Sequence, residues 1–254
     1  MRAVLSSEWL KLRSVTPTYH AIGIAALMVA LGVVWTFYVS GLTAERGSVQ
    51  AAAPEQAFLP LIQISLVVIG VLAITSEHTT GMIRSGLTAV SRRGALLLAK
   101  AGVAGAVTFV AAHVVILITY VVSWLIADDR PLGFNETVFS HDLPILLASG
   151  SSVTVLALVG LGLGFVTRST AGSIVSVVPV LFVLPTIAAY LPAPWHTRVT
   201  ALMLPNLVPQ IAGQRPSRGF GDSFLPPWGV SAMRQGYAVI ALAVGFHMLR
   251  RRDA

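Results

Sequence analysis

Two stretches of this 254-residue sequence carry residue types that could do chemistry, and each lacks the next group that chemistry needs. The run "GLGLGF" places glycines at Gly160, Gly162 and Gly164. A phosphate loop would continue into Lys-Ser/Thr, which is absent, and the surroundings are apolar enough to lie in lipid, so close helix packing is the better reading. The run "SGSS" from Ser149 to Ser152 offers hydroxyls, but no general base stands at a spacing that would activate one. The loops lack a cluster of His, Asp and Glu at metal-ligand spacing, and the absence of cysteine removes thiolate nucleophiles, disulfides and Cys-type metal sites. The chain is therefore expected to catalyse no covalent reaction, and to hold no cofactor or metal.

What remains is charge in unusual places. His113 falls near the middle of an apolar run, and intramembrane ionisable residues usually face a bundle interior or a wet path, so it is the candidate pathway residue. A neutral histidine hydrogen-bonded to a neighbouring helix explains it equally well. His247 and Arg234 stand nearer the ends of apolar runs, where snorkelling is enough to reach water. Glu77 lies where a run gives way to polar sequence, and in a continuing helix it would share a face with Arg84 two turns on. The segment 77–93 is too polar for lipid yet carries Met82, Ile83 and Leu87 at helical spacing, which predicts a short cytosolic helix. Thr79 or Thr80 could cap its start, and Arg92 and Arg93 would favour its C-terminal dipole.

The elements that must position these residues follow from composition. The chain is 55% hydrophobic and 11% charged, where a soluble domain carries roughly a quarter charged residues. Apolar runs of about 20 residues recur along the whole length, so lipid is the solvent for most of the surface. Six spans are predicted, at residues 19–40, 58–75, 96–126, 143–166, 171–191 and 230–249, giving an all-α integral membrane protein in one transmembrane domain, 1–254. Residues 1–16 read as an interfacial helix that stays in the mature chain. In it Leu5, Trp9 and Leu12 share one face, with Glu8, Lys11 and Arg13 towards the other. Trp9 would anchor at the headgroups while Lys11 and Arg13 meet anionic lipid.

Positive residues near span ends are retained in the cytoplasm. With six spans, eleven Lys and Arg fall on the side of both termini against three acids, and six face seven acids on the other side. Both termini are thus expected on the cytoplasmic side of the plasma membrane. The +7 formal charge is scattered between apolar runs and forms no basic stripe, which argues against nucleic-acid binding. The outer loop 192–227 holds Trp195, Leu202, Leu204, Leu207, Val208 and Ile211 among several prolines. It is too apolar for a solvated loop and should fold back on the membrane as a re-entrant segment.

The run Glu77, Thr80-Gly81-Met82-Ile83-Arg84, Leu87, Arg92-Arg93 and Ala99-Lys100 resembles the permease subunits of type-2 ABC (ABC-2) transporters. The C-terminal "LPPWGVSAMRQGYAVIALAVGFHMLRRRDA" is similar to the sixth span of the same family, and "EWLKLRS" to its elbow helix. The resemblance implies an elbow helix before the first of six spans, and a coupling helix between spans two and three that contacts a separate ATPase. It also implies short outer re-entrant helices between spans five and six. It makes Glu77, Thr80, Gly81, Met82, Arg84, Leu87, Arg92 and Arg93 the candidate ATPase-coupling residues of an exporter permease. Two ATPase subunits would bind ATP and magnesium, and a second permease chain, identical or related, would complete the pathway. The rival reading is a non-transporting assembly or sensor subunit that docks another cytosolic partner on the same helix.

Overall fold

A computed structural model of the chain describes residues 6–10, 17–47, 51–82, 93–128, 130–211 and 225–252, and among them every regular element is helical. Residues 6–10 form α1. The long helices are α2 (Pro17–Arg46), α4 (Leu59–Thr80), α5 (Arg93–Ala127), α6 (Phe139–Thr167), α7 (Thr170–Ala189) and α10 (Pro227–Arg252), with α3 (Pro54–Ala57) a single turn before α4. Two short helices, α8 (Trp195–Leu202) and α9 (Leu204–Ile211), occupy the segment between α7 and α10.

Local sequence explains the boundaries. Pro60 stands in the first turn of α4, where a missing N–H costs nothing, and Gly81 ends the helix with φ of 72°, a left-handed cap that glycine adopts without strain. Ser169 caps α7 by accepting the Gly172 N–H at 3.3 Å. Within α7 a π turn spans Pro179–Val183, beginning at a proline that has no N–H for the α ladder.

Among the described residues five helices, Gly23–Arg46 within α2, then α4, Gly94–Ala127 within α5, α6 and α7, are long and apolar enough to cross a bilayer. The sixth expected span, 230–249, lies inside α10, which is 26 residues long but carries Arg234, Gln235 and His247 and falls outside that set. Val110, Leu125, Val239 and Ile240 point outward from the bundle, as a lipid-solvated surface requires.

Helix α6 is the centre, mostly buried inside the bundle, whereas α7 is mostly exposed. It packs against α4, α5 and α10, and its small residues allow the approach. A Cβ at Gly160 would lie 2.8 Å from Val67 of α4, one at Gly162 would meet the Ala241 carbonyl of α10, and one at Gly164 would press on Ile74 of α4 at 2.5 Å. Reciprocally, Gly70 of α4 lies against the backbone carbonyl of Ala157. One apolar cluster joins Met28, Leu66, Ile116 and Val153 across α2, α4, α5 and α6; another joins Ile74, Leu97, Phe165 and Leu249 at the end of the bundle where α5 begins.

Arg234 departs from its sequence reading. It does not snorkel: it is buried, and its Nη1 donates to the Ala148 carbonyl of α6 at 3.1 Å. Leu204, Leu207 and Val208 of α9 are buried against the bundle, and Tyr237 of α10 donates to the Leu202 carbonyl, so α8 and α9 are tied to α10.

Candidate functional site

Among the described residues the most concentrated electrostatics surround Lys100, eight residues into α5 and 1% exposed. An ammonium has three N–H donors, and here each finds an acceptor. Nζ lies 2.7 Å from Glu77 Oε1, 2.8 Å from Glu8 Oε2 and 3.1 Å from the Ala73 carbonyl oxygen. Ala73 and Glu77 are four residues apart on one face of α4, so Lys100 fixes the rotation of α4 as well as its distance from α5. Glu8 brings in α1. Both carboxylates are buried, so their attraction to the ammonium is little screened, and loss of any member would strand charge away from water.

The sequence-predicted residues distribute around this clamp. Glu77 is part of it. Thr80 is the last residue of α4, Gly81 is the cap, and Met82 follows, half exposed. Neither threonine caps a following helix through the described residues: the hydroxyls of Thr79 and Thr80 donate back to the Ser76 carbonyl at 2.9 and 2.8 Å, because α4 runs past its expected end at residue 75. Arg84, Leu87 and Arg92 lie outside the described residues, as do Lys11, Arg13 and the side chain of Arg93, which opens α5. Trp9 is 51% exposed, on the side of α1 turned away from the bundle. Glu8, assigned with Lys11 and Arg13 to the polar side of α1, instead turns inward to Lys100.

His113 is half-buried. Its Nδ1 donates to the Phe109 carbonyl one turn back, at 2.7 Å, and its ring stacks on Phe109 with centroids 4.1 Å apart. The ring also lies on Gly150 of α6, where a Cβ would come within 2.6 Å of it. The structure thus gives His113 a hydrogen bond within its own helix and a contact with α6.

Two residues of the clamp escaped the reading of the sequence as site residues. In the sequence Lys100 counts as a positive charge of the basic side and as the end of the run that carries the family resemblance, with no role of its own, although it lies inside the third apolar run. Glu8 and Glu77 are two of only three acids assigned to the basic side, which is the signal that could have paired them with it.

Residues 4–188 match the family model described as "ABC-2 family transporter protein". The chain belongs to that family. Glu8, Glu77 and Lys100 all lie within the match, which runs from before α1 nearly to the end of α7. No curated protein gives a significant match. The family expected from residues 77–100 is thus the family found, while the C-terminal part of the resemblance lies beyond the matched residues. This ABC-2 permease is accordingly a multi-pass membrane protein, the transmembrane component of a transporter and not its catalytic part.

Proposed function

We propose that this permease is the membrane-spanning subunit of an ATP-driven exporter. Two permease chains form the pathway, and two separate ATPase chains bind ATP and magnesium, close on them, and push against segment 77–93 of each permease. The permease itself has no "GxxxxGK[ST]" run, so a transport cycle driven by ATP must draw hydrolysis from a partner. Both termini face the cytoplasm, by the distribution of Lys and Arg. Helix α10 is the sixth span, long enough at about 1.5 Å per residue to cross roughly 30 Å of hydrocarbon.

The observation that supports this reading best is the Lys100 clamp. A coupling segment transmits force only if the helices at its two ends cannot yield independently. Segment 77–93 begins at the end of α4 and leads into α5, and Lys100 locks those two helices to each other and to α1 directly beside it. A push on the segment is then passed to α1, α4 and α5 together. A pure anchor would not require this.

The test is to solubilise the tagged permease gently from native membranes and identify what co-purifies in stoichiometric amount. A nucleotide-binding ABC subunit is expected, and it should be lost from the Arg84→Glu, Leu87→Glu double variant. Intact docking in that variant would overturn the coupling assignment. An intact, monodisperse chain with no ATPase attached would favour the sensor or assembly reading.

A further inference from the structure

At the opposite end of the bundle from Lys100 lies a cavity of about 220 Å³ whose walls include Glu55 and Gln56 of α3, Gly133 and Thr137 of the α5–α6 connection, and His141 and Asp142 of α6. Its described lining contains two carboxylates and no Lys or Arg. Asp142 is held in place: Oδ1 accepts from Thr137 Oγ1 at 2.7 Å and Oδ2 from the Tyr120 hydroxyl at 3.0 Å, with His141 Nδ1 3.5 Å from Oδ1. Glu55 is not. It is 2% exposed, and its Oε2 is buried with no hydrogen-bond partner among the described residues. A buried carboxylate oxygen left unpaired is costly, and a native structure keeps one where a ligand or proton completes it.

A second cavity, of about 300 Å³, adjoins the first and shares Ala52 and Gln56 with it. Its wall is mainly apolar: Leu59, Ile145, Pro205, Val208 and Pro209, with Gln63 and Ser149 as polar exceptions. A metal ion suits the pair poorly. Calcium asks for six to eight oxygen ligands, and the described residues hold no group of three or more His, Asp or Glu placed to bind a metal. A single organic cation with a hydrocarbon body fits both halves: one N⁺–H group for the unpaired carboxylate, apolar surface for the neighbouring wall.

We propose that the two cavities form one binding site for an amphiphilic organic amine, its ammonium held between Glu55 and Asp142 and its hydrocarbon against Ile145, Val208 and Pro209. The proposal rests on the permease reading for its meaning as a transport substrate, the site lying at the outer end of the pathway where an exported molecule would be released. Desolvation pushes the Glu55 carboxyl well above the usual carboxylate range, to about 7; a backbone hydrogen bond offsets this in part and repulsion by Asp142 adds to it. A bound ammonium favours the ionised form, so binding near pH 6 expels a proton. Among the described residues, Asp142, His141 and Tyr120 are the other titratable groups facing this site.

The experiment is calorimetric titration of octylammonium into the full chain in zwitterionic lipid nanodiscs, with empty nanodiscs subtracted, at pH 6 in two buffers of different ionisation enthalpy. Saturable binding with proton release is expected. Neutral octanol should give no saturable component, and Glu55→Gln should weaken binding roughly tenfold or more and remove most of the proton release. Glu55→Asp, which keeps the charge, controls for misfolding by retaining binding. Equal isotherms for wild type, Glu55→Gln and empty nanodiscs would overturn the proposal. ATPase co-purification is read separately: binding without an attached ATPase leaves this site standing and removes the exporter reading, while an attached ATPase without binding does the reverse.

Discussion

Replacing Lys100 by Met is the perturbation that bears most directly on the clamp. The apolar side chain has nearly the shape of the lysine stem, so packing against α4 is largely kept while the charge is removed. The ammonium's bonds to Glu77, Glu8 and the Ala73 carbonyl are lost together, and two buried carboxylates remain close to each other. Removing one partner of a buried ion pair costs about 3–5 kcal/mol, and the mutual repulsion of the two acids places this case at the upper end. Glu77→Gln should cost less, because Lys100 retains Glu8 and Ala73. The triple variant Glu8→Gln, Lys100→Met, Glu77→Gln removes every charge at once, and should regain most of the stability lost by Lys100→Met alone. Chemical denaturation in micelles, followed by tryptophan fluorescence, measures all three. The function is read in the assembled transporter: the triple variant should keep its ATPase partner yet show hydrolysis uncoupled from transport. A Lys100→Met chain within about 1 kcal/mol of wild type would refute the claim that the ammonium carries this contact.

Other outcomes follow from the same physics. Glu55, whose carboxyl is raised from 4.5 to about 7 in the fold, binds its proton more tightly folded than unfolded, so stability falls as pH rises from 4.5 to 7 and stays low above it. The shift corresponds to about 3 kcal/mol, and Glu55→Gln should flatten that slope in a denaturation series from pH 4.5 to 8, whereas an unchanged slope would refute its assignment to Glu55. Gly70→Ala should destabilise the bundle by about 3 kcal/mol, since the added carbon meets the Ala157 backbone, which cannot rotate away. Gly102→Ala, where nothing lies within 4 Å, should be neutral or slightly stabilising in the same melt, through helix propensity alone. Arg234→Met should be tolerated or even stabilising in denaturation, because the arginine is buried with its Nε unpartnered among the described residues.

The helices were legible because each is an apolar run whose ends are marked by proline, glycine or charge, and lipid leaves the backbone no alternative to the helix. Pro60 and Gly81 around α4 are such marks. The charges inside or beside those runs were not legible, because an amphipathic pattern says which face is polar and not what that face meets. Glu8 shows this. On a helical wheel it belongs with Lys11 and Arg13 towards water, yet in the fold it faces the protein, because Lys100 of α5 supplies a partner 92 residues away. Arg234 repeats the lesson from the other end: its distance from the end of an apolar run allowed snorkelling, but the carbonyl of Ala148 on the central helix was closer than water. Glu55 is the extreme case, an acid in a four-residue helix whose environment is created by the α5–α6 connection and α6 together. In a chain with so few charged residues, each one withdrawn from water must either be answered by another element of the fold or stand ready for something that arrives from outside it. Lys100 is of the first kind, with every donor spoken for, and Glu55 is of the second.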